Sequence, residues 1–223
     1  MKEIVLDTET TGLFVKDGHR IVEIGCIELD NLVPTKNRFH CYLNPERKVS
    51  EKALEVHGYT DEFLSTQKKF LDVVDEFLHF IENKRLVIHN AEFDLSHLNN
   101  ELALLGRGKL NSENVIDTLV LARDKFPGSP TSLDALCKRY QVDNSKRTQH
   151  TALIDCDLLA KVYINLLDQK EPTLNFQTQD SEKIITNTNG SNQYSKKIIK
   201  PTKEELNLHK EYLKKSLKKN FFN

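Results

Sequence analysis

The sequence has no hydrophobic run near the roughly 20 residues that cross a bilayer, and Asp7 lies where a secretory signal would have its apolar stretch. Its four cysteines are widely separated and form no C-x-x-C pair. A zinc site and a disulfide framework are therefore not expected. Together these absences point away from membrane and secreted proteins and favour a reducing cytoplasm.

Three common enzyme motifs are also missing. The chain contains no GxxxxGK[ST], GxGxxG or GxSxG sequence, so a P-loop, a dinucleotide site and a serine-hydrolase elbow are not expected. Tryptophan is absent as well, but 38% hydrophobic and 29% charged residues are typical of a globular protein. The 223 residues allow one large domain, or a domain with an appendage.

Charge is divided unevenly along the chain. The total is -1, but residues 1–170 sum to -5 and residues 171–223 to +4. The stretch 169–194 is rich in Gln, Asn, Thr and Ser, which is typical of a linker, and 196–219 holds nine Lys against three Glu. We therefore predict a domain at 1–170, a flexible linker at 171–195 and a Lys-rich helical segment at 196–223.

Within the first domain, apolar patterning predicts an α/β fold with a mixed sheet flanked by helices. The predicted strands are 4–6, 21–29, 38–43, 86–88 and 115–116, with Asp30, Asn31 and Pro34 as turn residues. The predicted helices are 70–81, 93–105, 119–125, 132–140 and 151–167.

The segment Asp7-Thr8-Glu9-Thr10-Thr11-Gly12 follows the first predicted strand. Side chains two apart on a strand share a face, so Asp7 and Glu9 project side by side. Adjacent carboxylates repel unless a cation lies between them, and Mg²⁺ or Mn²⁺ prefers such oxygen ligands. A solvated acidic strand end is the alternative interpretation.

Two later segments also carry acids at helix starts. His89-Asn90-Ala91-Glu92-Phe93-Asp94 follows the strand 86–88, and His150-Thr151-Ala152-Leu153-Ile154-Asp155 opens the helix at 151. Asn90 could cap its helix, and Asp94 could merely complement the helix dipole. His150 is a suitable general base beside the carboxylate of Asp155, although a lone histidine at a helix start is often only a surface residue.

Taken together, four separated acids and one histidine point to metal-dependent phosphoryl chemistry. Two cations about 4 Å apart need about that many carboxylates and carry out in-line displacement at phosphorus. The predicted set consists of Asp7, Glu9, Asp94, Asp155 and His150.

These three segments resemble the motifs of the DEDDh family of 3′–5′ exonucleases. The stretches 56–58 (VHG), 132–137 (SLDALC) and 143–148 (DNSKRT) are similar to the proofreading (epsilon) subunits of bacterial DNA polymerase III. The resemblance covers roughly residues 2–168. It implies a ribonuclease-H-like fold and proofreading of mismatched 3′ ends by two-metal hydrolysis, with release of nucleoside 5′-monophosphates.

The resemblance also implies residue roles. Asp7 would bridge two divalent cations, Glu9 and Asp155 would complete the first site, Asp94 would serve the second, and His150 would activate water. The substrate would be a single-stranded or frayed DNA 3′ end. Its binding set would be Asp7, Thr8, Glu9, Thr10, Lys52, His57, Asn90, Phe93 and Asp155, where His57 contacts the terminal nucleotide and Lys52 a phosphate.

The tail suggests partners. Leu174 and Phe176 resemble the anchors of a sliding-clamp motif, although Glu171 stands where Gln is usual. The segment from Pro201 predicts a capped amphipathic helix, which by the resemblance would tether the polymerase catalytic subunit; DNA contact and a solvated face are the alternatives. A small accessory subunit is a further implied partner. Two other functions stay open, an RNA exonuclease of the same family and a non-catalytic scaffold.

Overall fold

The computed structural model describes residues 1–145, 147, 149–168 and 201–216. A five-stranded sheet forms the centre of the first unit, with the order β3-β2-β1-β4-β5. The strands β1, β2 and β3 are antiparallel neighbours, and β4 and β5 run parallel to β1. Their bounds are Lys2–Thr10, Ile21–Asp30, Val33–Tyr42, Arg85–Ile88 and Val115–Asp117.

Among the described residues of the first unit, seven α-helices connect or flank these strands. They are α1 Glu51–His57, α2 Asp61–Ser65, α3 Phe70–Ile81, α4 Ala91–Leu104, α5 Thr118–Lys125, α6 Leu133–Tyr140 and α7 Ala152–Leu166. Two 3₁₀ turns, Val15–Asp17 and Ser112–Asn114, complete the connections. The predicted mixed sheet flanked by helices is confirmed, and α3 has the predicted bounds.

Alternation along β1 divides the core into two layers. Ile4 and Leu6 are fully buried in the layer that includes the apolar side of α3, whereas Val5 is fully buried with residues of α6 and α7 on the opposite face. Because successive strand side chains point to opposite faces, a fully apolar strand can serve both layers. The side chains that follow Leu6 on β1 therefore point alternately toward α7 and toward α4.

Two local predictions were wrong. Pro34 lies inside β3, opposite Leu29, rather than in the turn; β3 is an edge strand, where a residue without an N–H is tolerated. Asp30, also predicted in the turn, is the last residue of β2. The turn consists of Asn31 and Leu32, both with positive φ, at 49° and 66°. The pattern also failed to predict α1 and α2, which are too short to show a helical period but have capping side chains at Ser50 and Thr60.

The tail helix α8, Lys203–Ser216, belongs to a second unit. The Thr202 hydroxyl accepts from the Glu205 N–H at 3.2 Å, and the Glu205 carboxylate accepts from the Thr202 N–H at 2.7 Å. The predicted helix start and capping box are therefore confirmed. The predicted linker at 171–195, with Leu174 and Phe176, lies outside the described residues. Among the described residues, no helix is both long and apolar enough to span a membrane.

Candidate active site

The end of β1 carries the first pair of predicted ligands. Asp7 and Glu9 share one face and lie opposite Gly25 and Glu23 of β2. The parallel pairing with β4 covers only Glu3 to Val5, so the acidic end of β1 extends beyond it. Thr8 points the other way, toward α4, where its hydroxyl donates to Asp94 Oδ1 at 2.7 Å. Asp94, in the first turn of α4 and 3% exposed, is thereby held beside β1.

The first turn of α7 lies directly against β2. A Cβ on Gly25 would come within 2.6 Å of the Ala152 carbonyl carbon, so only glycine permits this approach. Glu23, fully buried, accepts the Ala152 N–H at 2.9 Å and the Tyr59 hydroxyl at 2.8 Å, and its other oxygen is 2.7 Å from His40 Nε2. Glu23 therefore fixes where α7 begins, at Ala152, two residues after His150.

Arg147 connects the remaining catalytic candidates. Its Nε and Nη2 donate to the two oxygens of Asp155 at 2.6 and 2.7 Å, and Nη2 also donates to His150 Nδ1 at 2.8 Å. A third nitrogen, Nη1, is 2.7 Å from Asp134. Since a guanidinium has donors only, His150 Nδ1 must accept, and a neutral His150 carries its proton on Nε2.

Ligand atoms of Glu9, His150 and Asp155 lie within 4.8 Å of one another. Asp7 and Asp94 lie outside this three-residue cluster but interact with it electrostatically. Burial raises the pKa of Asp7 well above its usual range, and the charges of Asp94 and Glu9 add to the shift. Five candidates predicted from three distant segments are thus gathered at one end of β1.

The pKa values of the other carboxylates differ according to their burial and their partners. Burial, and then Asp155 and Glu23, raise the pKa of Glu9 to about 8. Burial raises the pKa of Asp94 to about 7, against the lowering effect of the Thr8 hydrogen bond. Burial acts to raise the pKa of Asp155, but the hydrogen bonds and the charge of Arg147 lower it below its usual range.

This donor set fits hard divalent cations. Burial is the main reason that the pKa values of Asp7, Glu9 and Asp94 are raised, and neighbouring carboxylates raise those of Asp7 and Glu9 further, so a bound cation would stabilise their ionised forms. Carboxylate oxygens are the ligands that Mg²⁺ and Mn²⁺ prefer, and among the described residues no cysteine joins the cluster to favour a softer metal.

A groove of about 400 Å³ opens beside Glu9. Five predicted substrate-binding residues line it, namely Glu9, Thr10, Lys52, His57 and Phe93. The sequence interpretation missed other lining residues, among them Leu13, Phe14, His19 and Val56. Leu13 and Phe14 are 65% and 55% exposed beside this groove, so their apolar faces are available for contact with a base.

His57 forms part of the groove wall but is 1% exposed. Its Nδ1 accepts the Tyr59 N–H at 3.0 Å, its Nε2 is 3.3 Å from the Thr10 carbonyl, and its ring stacks on Tyr59 at 4.8 Å. Burial lowers its pKa. In this structure both ring nitrogens are used inside the protein, so His57 shapes the groove rather than presenting a free donor.

Asn90 lies elsewhere, on a second groove of about 490 Å³ that includes His150, Arg147 and Arg123. The expectation that Asn90 caps α4 with its side chain was wrong, because Asn90 is in the left-handed region (φ 70°) and makes no side-chain cap bond. Asp117 does this instead, accepting the N–H groups of Asn90 and Ala91 at 3.1 and 3.0 Å.

Comparison with known proteins agrees with this geometry. Residues 4–163 match the model of the exonuclease family of the RNase T type. The chain is 49% identical to the DNA polymerase III subunit epsilon of Rickettsia conorii over 98% of this chain and 97% of that one. It is 52% identical to the subunit of the same name from Salmonella typhimurium over 73% of this chain and 70% of that one.

Solved structures show the same fold. Exonuclease X in complex with 5′ overhanging duplex DNA has a TM-score of 0.60 and 26% identity, covering 75% of this chain and 92% of that one. The nuclease domain of 3′hExo, a DEDDh family member bound to rAMP, has a TM-score of 0.66 at 18% identity, covering 76% and 92%. The chain therefore belongs to the exonuclease family and, within it, to the epsilon subunits of bacterial DNA polymerase III.

Proposed function

We propose that this protein is the 3′–5′ exodeoxyribonuclease that proofreads for a bacterial replicative DNA polymerase III in the cytoplasm. The observation that carries the proposal is the meeting of Asp7, Glu9, Asp94, Asp155 and His150 at the end of β1, beside a groove large enough for a nucleotide. A 3′-terminal mismatch suits such a site, because an unpaired end costs least to bring into it.

Divalent cations, Mg²⁺ or Mn²⁺, would be held by the four carboxylates and would supply an activated water and charge stabilisation at the phosphate. After burial, the charges of Asp94, Glu9 and Asp155 all raise the pKa of Asp7, which supports the proposal that Asp7 would contribute to both cation sites. Thr8 keeps the Asp94 carboxylate aimed at the site through its 2.7 Å hydrogen bond. The binding of two ions rather than one is part of the proposal.

His150 would accept the proton of the attacking water. The side chain of His150 is 43% exposed, so water reaches it. Its backbone N–H donates to the Val56 carbonyl of α1 at 3.1 Å, which ties the backbone of His150 to that helix. Because α1 also lines the groove, this hydrogen bond sets the distance between base and substrate. The terminal nucleotide would lie against Phe93 and Phe14, with Lys52 near a phosphate. Hydrolysis would release it as a nucleoside 5′-monophosphate.

We propose DNA rather than RNA as the substrate, because the relatives at 49% to 52% identity carry the polymerase subunit name. The neighbour bound to rAMP shares the fold at 18% identity only. Matched DNA and RNA oligomers with free 3′ ends would separate the two activities: faster cleavage of the DNA supports proofreading, and faster cleavage of the RNA contradicts it.

The tail would attach the exonuclease to the polymerase. In α8, the apolar residues Leu206 and Tyr212 are 44% and 62% exposed, so this helix offers apolar surface to a partner. Such a tether raises the concentration of the exonuclease near the primer end. Clamp binding through Leu174 and Phe176 and contact with a small accessory subunit are further parts of the proposal. A pull-down with the full chain and with residues 1–170 tests the tether, and equal polymerase recovery would refute it.

The central test of the active site is Asp7→Ala. Hydrolysis of a 3′-labelled oligonucleotide in Mg²⁺ should be abolished while the circular dichroism spectrum is unchanged. Asp124→Ala removes an exposed carboxylate of α5 and serves as the matched control with normal activity. Wild-type activity in Asp7→Ala would place the catalytic centre elsewhere.

A further inference from the structure

Arg147 makes hydrogen bonds to two residues on which catalysis would depend, Asp155 and His150. Its side chain is only 7% exposed, and its planar fork binds both oxygens of Asp155, which is itself 4% exposed. The same fork donates to the Nδ1 lone pair of His150. One buried cation therefore engages a predicted metal ligand and the predicted base at the same time.

These contacts of Arg147 oppose the binding of a divalent cation to Asp155. A divalent cation on Asp155 would lie beside the guanidinium charge, and two desolvated positive charges repel strongly at such distances. With the proton of a neutral ring on Nε2, Nδ1 is the nitrogen that can accept another, and Arg147 covers it. The charge of Arg147 also reaches Glu9, whose pKa it acts to lower.

The surroundings provide a place to which Arg147 can withdraw. Nη1 is already paired at 2.7 Å with Asp134, which is 57% exposed and lies on α6 beside the second groove. A guanidinium that leaves Asp155 would keep this partner, so it would not become a buried unpaired charge. Asp134 thus lowers the free-energy cost of replacing Arg147 with a divalent cation at Asp155.

We propose that Arg147 is an internal counter-ion that holds Asp155 and His150 when no divalent cation is bound, and that it competes with the cation for Asp155. The inference rests on the proposed metal site and adds a step to it. Arg147 would stabilise the metal-free fold by compensating a buried carboxylate, and metal loading would release both Asp155 and the base.

The experiment is a calorimetric titration of the full chain with Mn²⁺ alone. Arg147→Gln should bind Mn²⁺ about tenfold more tightly than the wild type, roughly the equivalent of one lost charge-assisted hydrogen bond. Its metal-free melting temperature should fall. Arg147→Lys keeps the positive charge without the planar fork, so its Mn²⁺ affinity should lie between those of the wild type and Arg147→Gln. Arg123→Gln removes a positive charge from the same groove and is the control, with unchanged affinity.

A second readout uses the folded wild type. The Arg147 Nε–H should give a protected ¹⁵N signal in metal-free protein that shifts or broadens as Mg²⁺ is added. An unchanged signal at saturating Mg²⁺, or an Arg147→Gln variant that binds Mn²⁺ no more tightly than the wild type, would overturn the counter-ion role and leave the metal site standing. A wild type that binds no Mn²⁺ would overturn both.

Discussion

The metal-free protein should lose stability as pH rises, because three of its active-site carboxylates are buried and two of them also lie near other carboxylates. Glu9 has a pKa of about 8 where an unfolded glutamate has 4.5, chiefly through burial and secondly through Asp155 and Glu23. Between these two values the folded chain binds more protons than the unfolded chain. The free energy of unfolding must then decrease with increasing pH.

The magnitude follows from the shift. Each proton held only by the folded state contributes a slope of about 1.4 kcal/mol per pH unit, so Glu9 alone accounts for a loss on the order of 4 kcal/mol between pH 5 and 8. The raised pKa values of Asp7 and Asp94 act in the same direction. Asp155, with its lowered pKa, titrates below this window. Burial lowers the pKa values of His57 and His89, which act in the opposite direction, but only up to their ordinary value of 6.5.

Urea denaturation of EDTA-treated protein at pH 5, 6, 7 and 8 measures this effect. The midpoint should fall between pH 5 and 8, most steeply above pH 6.5, where the histidines no longer oppose the change. Glu9→Gln should flatten the dependence, and Mg²⁺ at pH 8 should raise the wild-type midpoint by binding the ionised carboxylates. A midpoint that is constant or rises with pH in EDTA would refute the electrostatic reasoning.

Two further predictions concern the position of α7. Gly25→Ala should cost about 1–3 kcal/mol of stability by overpacking against Ala152 and lower kcat about 100-fold by moving His150 and Asp155. The control is Gly108→Ala, where a Cβ meets no atom within 4 Å; equal kcat in both variants would contradict the account. Glu23→Ala leaves buried donors unpaired, at about 1–3 kcal/mol each. Steady-state kinetics should show a loss in kcat with little change in KM, and an unchanged kcat would show that Glu23 does not position α7.

The parts of the site that depend on short-range pattern could be predicted from the sequence. Alternation along β1 is enough to place Asp7 and Glu9 on one face, and the apolar spacing of 70–81 is enough to define α3. The association of Asp94 with Thr8 spans 86 residues, and spacing alone gives no distance across such a separation. Asp94 was predicted because acids recur at strand ends and helix starts, and the resemblance of the three motifs to a family assigned it a metal role.

The supporting residues had weaker signals. Glu23 is an acid inside the apolar run 21–29, and such a buried carboxylate must find donors; this signal could have identified it. Arg147 lies in the quoted stretch 143–148, but its fork contacts Asp134 and Asp155 on two different helices. No local pattern specifies that arrangement, since it depends on how α6 and α7 pack.

The most direct test of the central claim uses a 5′-labelled primer with a single 3′-terminal mismatch, annealed to its template. In Mg²⁺ the account predicts stepwise shortening from the 3′ end, release of nucleoside 5′-monophosphates, faster removal of the mismatch than of a paired end, and no cleavage in EDTA. Internal cuts, or undiminished cleavage in EDTA, would contradict it.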